Sequence, residues 1–330
     1  MKRLLHAIPY LPSTNSNLLK NLPVFSIITP SYNQLDWLRL CIASVRDQTL
    51  LPAPCSLEHI IQDAGTPGIE DLARELGAEF HRNGQLVFEA SPSAIRHPLS
   101  AIGREAALKI FSEPDDGMYD AINKGLLKSS GEICSWLNCD EQYTPGALKN
   151  IQSAFKRPPD VHAVFGDFVV LDQSNNPLCY RRSFAQDQRN LTFSPLNIAS
   201  CTLFFRRKVI DAGFLFDPDW KIIGDKVWII NLLEAGFQFK STRRLVACFR
   251  LLTSNLSSRP LAIEEENRFS KQYQPMKKTQ QIALKFRQFF MKFLLGCYLP
   301  RRVDFRIVGF NGEPVRIGPK WVGFLWPKST

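Results

Sequence analysis

The chain has 330 residues, 45% of them apolar and 22% charged, with 18 Gly and 22 Pro. That is ordinary globular composition, which excludes a fibre or a disordered tail and suits one large or two small domains. The net charge is +10 but unevenly placed: residues 259–330 hold 14 Lys/Arg against 5 Asp/Glu, and residues 1–22 hold three basic residues and no acid. A nearly neutral body with a basic leader and a basic tail reads as a domain held near an anionic surface, either a membrane leaflet or nucleic acid. Eight cysteines without a C-x-x-C pair argue against a zinc ribbon or a disulfide scaffold and for reduced thiols. No window reaches the roughly 18 uninterrupted apolar residues of a spanning helix. The apolar run of the leader is short and broken by His6 and Pro9. It lacks a small-x-small cleavage site, so the expected location is cytoplasmic.

In chain order, Val24 to Thr29 is a β-branched run closed by Pro30, a buried strand ending in a turn. Leu35, Leu38, Ile42 and Val45 then fall on one stripe of a helix that Asn33 is placed to cap. A second strand, Leu57 to Gln62, runs into Asp63 and a Gly-rich turn, and a helix from Ile69 to Leu76 follows. This alternation implies a parallel sheet with ligand loops at the carboxyl ends of its strands. Residues 81–109 fit the rhythm poorly and read as an insertion. The pattern resumes with Ile110-Phe111, a turn at 113–117, a helix from Met118 to Lys128 and a strand, Glu132 to Leu137. A helix from near Pro145 to Phe155, strands at Val161–Leu171 and Thr202–Arg206, a helix at Lys226–Glu234 and a strand at Phe237–Phe249 complete the body.

After Ser258 the composition changes. Residues 259–280 are polar, and Gln281 to Leu299 forms an amphipathic helix. Gln281, Lys285, Gln288 and Lys292 share one face, while Phe286, Phe289, Phe290, Phe293 and Leu294 cover much of the rest. Two readings stand: an interfacial membrane helix, or a helix packed on the domain with its cationic edge in water. The organisation is thus a leader (1–22), a body (23–258) and a basic aromatic extension (259–330).

The chemistry-bearing residues are carboxylates at strand and helix ends. Asp140 and Glu141 follow a strand directly, where hard oxygen ligands suit a divalent cation bridged to a diphosphate; the bland reading is a solvated turn. Asp63 ends another strand and could accept from a nucleobase N–H, with Tyr32 of Pro30-Ser31-Tyr32-Asn33 offering a ring to stack on it; otherwise Asp63 only shapes its turn. Asp225 starts a helix, as a cap, a general base, or both.

Four ordered motifs, residues 25–34, 60–65, 112–125 and 137–141, resemble the family 2 glycosyltransferases of GT-A fold, closest to bacterial polysaccharide-building members of colanic-acid type. The resemblance implies an α/β, Rossmann-like, mostly parallel sheet flanked by helices. It implies that Asp140 and Glu141 hold Mg²⁺ or Mn²⁺ against a nucleotide-sugar diphosphate. Pro30, Tyr32 and Asp63 then grip the base, and Asp116, Asn123 and Lys124 line the donor pocket. Asp225 takes the acceptor proton in an inverting transfer, most simply from a UDP-sugar to a glycan or lipid-linked hydroxyl in cell-surface polysaccharide synthesis. The chain departs from the pattern at Glu141, where Asp is usual, at Ala64-Gly65-Thr66-Pro67, and at Gly224, where many relatives carry Glu. The competing readings are a non-catalytic sugar-nucleotide-binding scaffold on the same fold, and a nucleic-acid binder using the tail, which nothing in residues 23–258 favours.

Overall fold

The computed structural model describes residues 25–48, 57–91, 107–156, 160–193, 196–252, 260–272 and 278–327. The basic leader and the middle of the expected insertion lie outside the described residues. The chain opens with β1 (Phe25–Ser31), α1 (Leu35–Arg46), β2 (Leu57–Asp63) and α2 (Ile69–Glu75), the alternation its sequence implies. A hairpin, β3 (Glu79–Arg82) and β4 (Gln85–Phe88), and then β5 (Ala107–Ser112) take the two ends of that expected insertion into the sheet. Next come α3 (Met118–Lys128), β6 (Ile133–Trp136), β7 (Gln142–Tyr143), α4 (Ala147–Phe155), β8 (Ala163–Leu171), β9 (Pro177–Arg181) and α5 (Gln188–Phe193). A 3₁₀ turn at Ser200–Thr202 leads into β10 (Phe204–Arg206), α6 (Lys208–Asp211), α7 (Gly224–Glu234) and β11 (Phe239–Arg250). The extension holds α8 (Pro260–Gln272), α9 (Lys278–Leu294), β12 (Arg301–Val308) and β13 (Pro314–Val322).

The central sheet runs β4-β3-β5-β2-β1-β6-β10-β8-β11-β7, with β9 pairing β8. From β3 through β5, β2 and β1 to β6 every pairing is parallel. The strands are buried on both faces, as a helix-covered parallel sheet requires: all seven residues of β2 are buried. Beyond β6 the sheet turns antiparallel through β10, so the alternation seen in the first half does not persist.

Asn33 does not cap α1. It adopts a left-handed φ of 54°, which Asn tolerates, and its N–H donates to Thr66 Oγ1 at 2.9 Å. On one sheet face α3 and α7 pack through Ile122, Leu126, Val227 and Trp228 against Ile28, Trp136 and Phe205. On the other, Cys41 and Val45 of α1 and Leu148 and Ile151 of α4 cover Phe25, Ile27 and Phe204.

The extension lies against this body at several points. β12 and β13 form an antiparallel hairpin around Asn311-Gly312, a turn dipeptide, and bury Val303, Ile307, Ile317 and Val322 on Val169 and Cys248. Gln142 and Val308 exchange two hydrogen bonds, at 3.0 and 2.9 Å. Helix α9 has the reverse of the usual orientation. Gln288 is only 8% exposed, whereas Phe286 is 70% and Phe293 64% exposed, with Ile282, Phe289, Phe290 and Leu294 also outward. At 3.6 residues per turn, Lys285 and Arg287 fall on the two borders of that outward stripe. No helix among the described residues is long and apolar enough to cross a membrane.

Candidate functional site

The parallel register sets the site. Ser31 lies beside Asp63, and Asp63 beside Ser112, so three strands end level at one edge of the sheet. A ligand crevice is expected outside such carboxyl ends. There a cavity of about 720 Å³ opens, its lining including Pro30 in β1 and Tyr32 after it, Asp115 to Tyr119 except Asp116, Trp136 to Asp140 except Leu137, and Ser200, Ile222, Asp225 and Phe249. It therefore gathers Pro30, Tyr32, Asp140 and Asp225. Tyr32 is 66% exposed, an aromatic ring held out at the mouth.

The Asp225 carboxylate is fixed by its surroundings. Helix α7 begins at Gly224, with Ile223 in the cap position, so Asp225 sits one residue inside the helix instead of capping it. Its Oδ1 accepts the Lys226 N–H at 2.8 Å, and its own N–H donates to the Tyr119 hydroxyl at 3.1 Å. The single phenolic proton lies between Ile222 O at 2.9 Å and Asp225 Oδ1 at 3.4 Å. Burial pushes the Asp225 carboxyl up to about 6, against the lowering effect of these donors and of Lys226. A carboxylate poised nearer neutrality is a better proton acceptor than one at the ordinary value near 4.

Asp140 and Glu141 part company. Asp140 lines the cavity; Glu141 is 1% exposed, does not line it, and accepts the Asn138 N–H on Oε2 at 2.8 Å. The expectation of Glu141 as a direct ligand is thus not met by its placement: its side chain folds back to brace the turn. Burial raises both carboxyls, Glu141 further because Asp140 is beside it, while the Arg250 cation opposes the shift at Asp140. Asn138, a cavity residue, presents a buried Oδ1 with no hydrogen bond, as does Glu141 with Oε1. Oxygen donors of this kind around a carboxylate fit a hard divalent cation, which takes few protein ligands and completes its shell from phosphate and water. Among the described residues no cluster of three His, Cys, Asp or Glu side chains forms a cage on its own.

The other expected donor residues do not line the cavity. Asp63 is fully buried and accepts from Gly65 N, Thr66 N and Thr66 Oγ1, closing the turn that holds Asn33. Asn123 spends both ends of its amide on the Phe216 backbone, at 2.8 and 2.9 Å. Lys124 donates to Pro114 O and pairs with Asp120, both at 2.8 Å. Asp116 is exposed, and its carbonyl takes the Lys221 ammonium at 2.7 Å. The three do not line the cavity; they hold the loop and helix that do. Their neighbours Asp115 and Tyr119 take the positions expected of them.

A family model described as "Glycosyl transferase family 2" matches residues 93–214. The Bacillus subtilis protein TuaG, named as a teichuronic acid biosynthesis glycosyltransferase, is 23% identical over 72% of this chain and 82% of its own. Glycosyltransferase AglE of Haloferax volcanii is 23% identical over 70% of this chain and 68% of its own. The chain is a glycosyltransferase whose residues 93–214 match the family 2 model. Its fold is GT-A: residues 1–349 of S. aureus TarS in complex with UDP superpose with a TM-score of 0.51 at 12% identity, covering 82% of this chain and 72% of that one. Mannosyltransferase PcManGT from Pyrobaculum calidifontis, in complex with GDP-Man and Mn²⁺, gives 0.51 at 14% identity, covering 80% and 68%.

Several site residues of this glycosyltransferase carry no sequence signal of their own. Tyr119 and Trp136 line the cavity from a helix and a strand that read as core. Beneath them Tyr119 stacks on Phe216 at 5.3 Å and Phe216 on Trp228 at 4.7 Å. Arg250 closes β11, buried with its guanidinium 4.7 Å from the Trp37 ring. Only the strand-end position of Asn138, next to the acidic pair, offered a cue.

Proposed function

We propose that the cavity binds a nucleotide sugar, that Asp225 is the general base of an inverting transfer to an acceptor hydroxyl, and that Asp140 holds a divalent cation. The carrying observation is that Asp140 and Asp225 line one cavity whose mouth bears the Tyr32 ring. The acceptor hydroxyl attacks the anomeric carbon as its proton passes to the Asp225 carboxylate, and the nucleoside diphosphate departs with the bonding pair. Lys226 N–H and Tyr119 keep Oδ1 occupied, so the other oxygen, Oδ2, is left to receive the proton. Asp140, with Asn138 Oδ1 beside it, would hold Mg²⁺ or Mn²⁺; when bound, the cation balances charge on the departing diphosphate. Glu141 then acts beneath the pair, bracing the turn, and Asp63 shapes the loop that presents Tyr32.

UDP is the expected nucleotide: TarS structures contain UDP and UDP-GlcNAc, although PcManGT contains GDP-Man with Mn²⁺. TuaG's name supports a glycan acceptor in cell-surface polysaccharide synthesis. The outward aromatic stripe of α9 with its Lys285 and Arg287 borders favours seating on an anionic leaflet, where a lipid-linked acceptor would lie. The test is donor turnover across a panel of nucleotide sugars with and without Mn²⁺. Asp225→Asn abolishes turnover and keeps UDP affinity, whereas Asp140→Ala removes the Mn²⁺-dependent part of UDP affinity. Near-wild-type turnover in Asp225→Asn would refute the base assignment.

A further inference from the structure

Helix α7 carries the proposed base in its first turn, yet its cap residue offers it nothing. The cap residue is Ile223, which has no side-chain oxygen to offer the free N–H groups of a helix start, and no side-chain hydrogen bond caps it. Tyr119 and Asp225 itself meet the N–H groups of Asp225 and Lys226, and the N–H groups of the cap residue and of the two residues before it are met from the extension. Glu265, on α8, is 4% exposed, and its carboxylate takes three consecutive backbone N–H groups: Lys221 at 2.6 Å on Oε1, Ile222 at 2.9 Å and Ile223 at 3.0 Å on Oε2. A negative charge at that point also suits the positive end of the α7 dipole.

We infer that Glu265 is a positioning residue for catalysis, holding the Lys221–Ile223 loop so that Asp225 presents its carboxylate to the cavity. The Ile222 peptide is gripped from two sides: its N–H by Glu265 and its carbonyl by the Tyr119 hydroxyl, the group that also meets Asp225. Neighbouring contacts hold α8 in register with α7. Lys226 pairs with Glu266 at 2.8 Å and lies 4.4 Å from the centre of the Phe269 ring, and the Arg268 guanidinium sits 4.0 Å from that of Trp220. Four residues of one helix, Glu265, Glu266, Arg268 and Phe269, therefore bear on residues 220–226, the segment that contains the base. Nothing in Glu265 touches the cavity lining except through Ile222, so it acts by placement and not by touching substrate. A carboxylate is needed because both oxygens must accept; an amide would turn an NH₂ toward N–H donors.

The inference rests on Asp225 being the base, and the experiment separates the two. In the full chain, Glu265→Gln and the exposed-neighbour control Glu264→Gln are compared by amide hydrogen exchange over residues 221–225. Turnover is measured with whichever nucleotide sugar of the panel the wild type uses, and UDP binding with Mn²⁺. The expected result is exchange at least ~10-fold faster and kcat lowered ~10-fold or more in Glu265→Gln, with donor KM and UDP affinity within about two-fold, as loss of base placement alone requires. Glu265→Asp, which keeps two acceptors on a shorter arm, recovers part of kcat, and Glu264→Gln matches wild type. Unchanged exchange, or faster exchange with unchanged kcat, overturns the proposal. A global loss of fold is read separately, by the melting transition: if Glu265→Gln and Glu265→Asp both melt far below wild type with kcat falling in proportion to folded fraction, the role is structural and the proposal fails. An active Asp225→Asn would overturn the base assignment and with it the catalytic half, while the exchange arm still decides whether Glu265 holds the loop.

Discussion

The ring of Tyr119 occupies the space in which a side chain at Gly224 would stand: a Cβ there would lie 2.7 Å from Tyr119 Cε2 and 2.8 Å from Cδ2. An aromatic ring from α3 thus fills the gap beside Gly224 and brings its hydroxyl to Asp225. Gly224→Ala is expected to destabilise by about 1–3 kcal/mol through overpacking, despite the better helix propensity of Ala, and to lower kcat. Combining it with Tyr119→Leu, which empties the space, should restore much of the melting temperature but not the activity. Strict additivity of the two changes in a thermal-melt cycle would contradict the packing account.

The acid limb of the pH–rate profile should report Asp225. Its carboxyl, held near 6 by burial, must be ionised to accept a proton, so kcat/KM is level above that pH and falls about tenfold per unit below it. Tyr119 from α3, Lys226 on α7 itself and Glu265 from α8 are the ionisable groups facing this point. The Tyr119 hydroxyl bond lowers the Asp225 pKa, so Tyr119→Phe moves the limb to higher pH.

Stability should respond with the opposite sign. The folded-state pKa of Asp225 lies above the ordinary value near 4, so ionising it weakens the fold at pH values above about 6, and that penalty is relieved as pH falls toward 4. Asp225→Asn is therefore expected to stabilise the protein at pH 7 by on the order of 2 kcal/mol and to give no gain at pH 4. Denaturant melts of both proteins at the two pH values measure this.

Asn123 is expected to be structural. Removing both hydrogen bonds to Phe216 in Asn123→Ala costs about 1–3 kcal/mol, and because Phe216 underlies Tyr119, turnover falls while Mn²⁺-dependent UDP affinity is kept. A loss of UDP affinity with unchanged stability would instead return Asn123 to the donor pocket.

Replacing Phe286, Phe290 and Phe293 together with Ser should leave the melting temperature almost unchanged, since all three face outward. Flotation of the full chain with vesicles containing anionic lipid should drop by about tenfold or more, and wild-type binding should weaken with salt. Equal flotation of wild type and variant would remove the membrane reading of α9.

The first half of the fold was legible because its strands and helices alternate with clean apolar periods: the helix at Met118–Lys128 stands where its pattern places it. The β12–β13 hairpin was not read, although Val303, Phe305 and Ile307 alternate before Asn311-Gly312; a basic, aromatic composition masked a period of two. In the site, strand-end and helix-start acids stand out by position, and Asp140 and Asp225 do line the cavity. Position does not place Glu141 and Asp63, neither of which lines the cavity, because whether a carboxylate faces a cavity or closes its own turn is decided by χ angles and by partners such as Asn138 and Thr66. Glu265 was one of three adjacent glutamates on a polar stretch, and only packing separates it from Glu264.

The exchange of hydrogen bonds between Gln142 and Val308 has a practical corollary. Gln142 comes directly after the acidic pair, so the final hairpin braces the same turn that presents Asp140. Shortening the chain after Ser258 to obtain a minimal enzyme would bare Val169 and Cys248 to water and leave the α7 entrance without its anchor. What looks from composition like a detachable tether buttresses two segments that bear cavity residues, the turn of Asp140 and the entrance to α7.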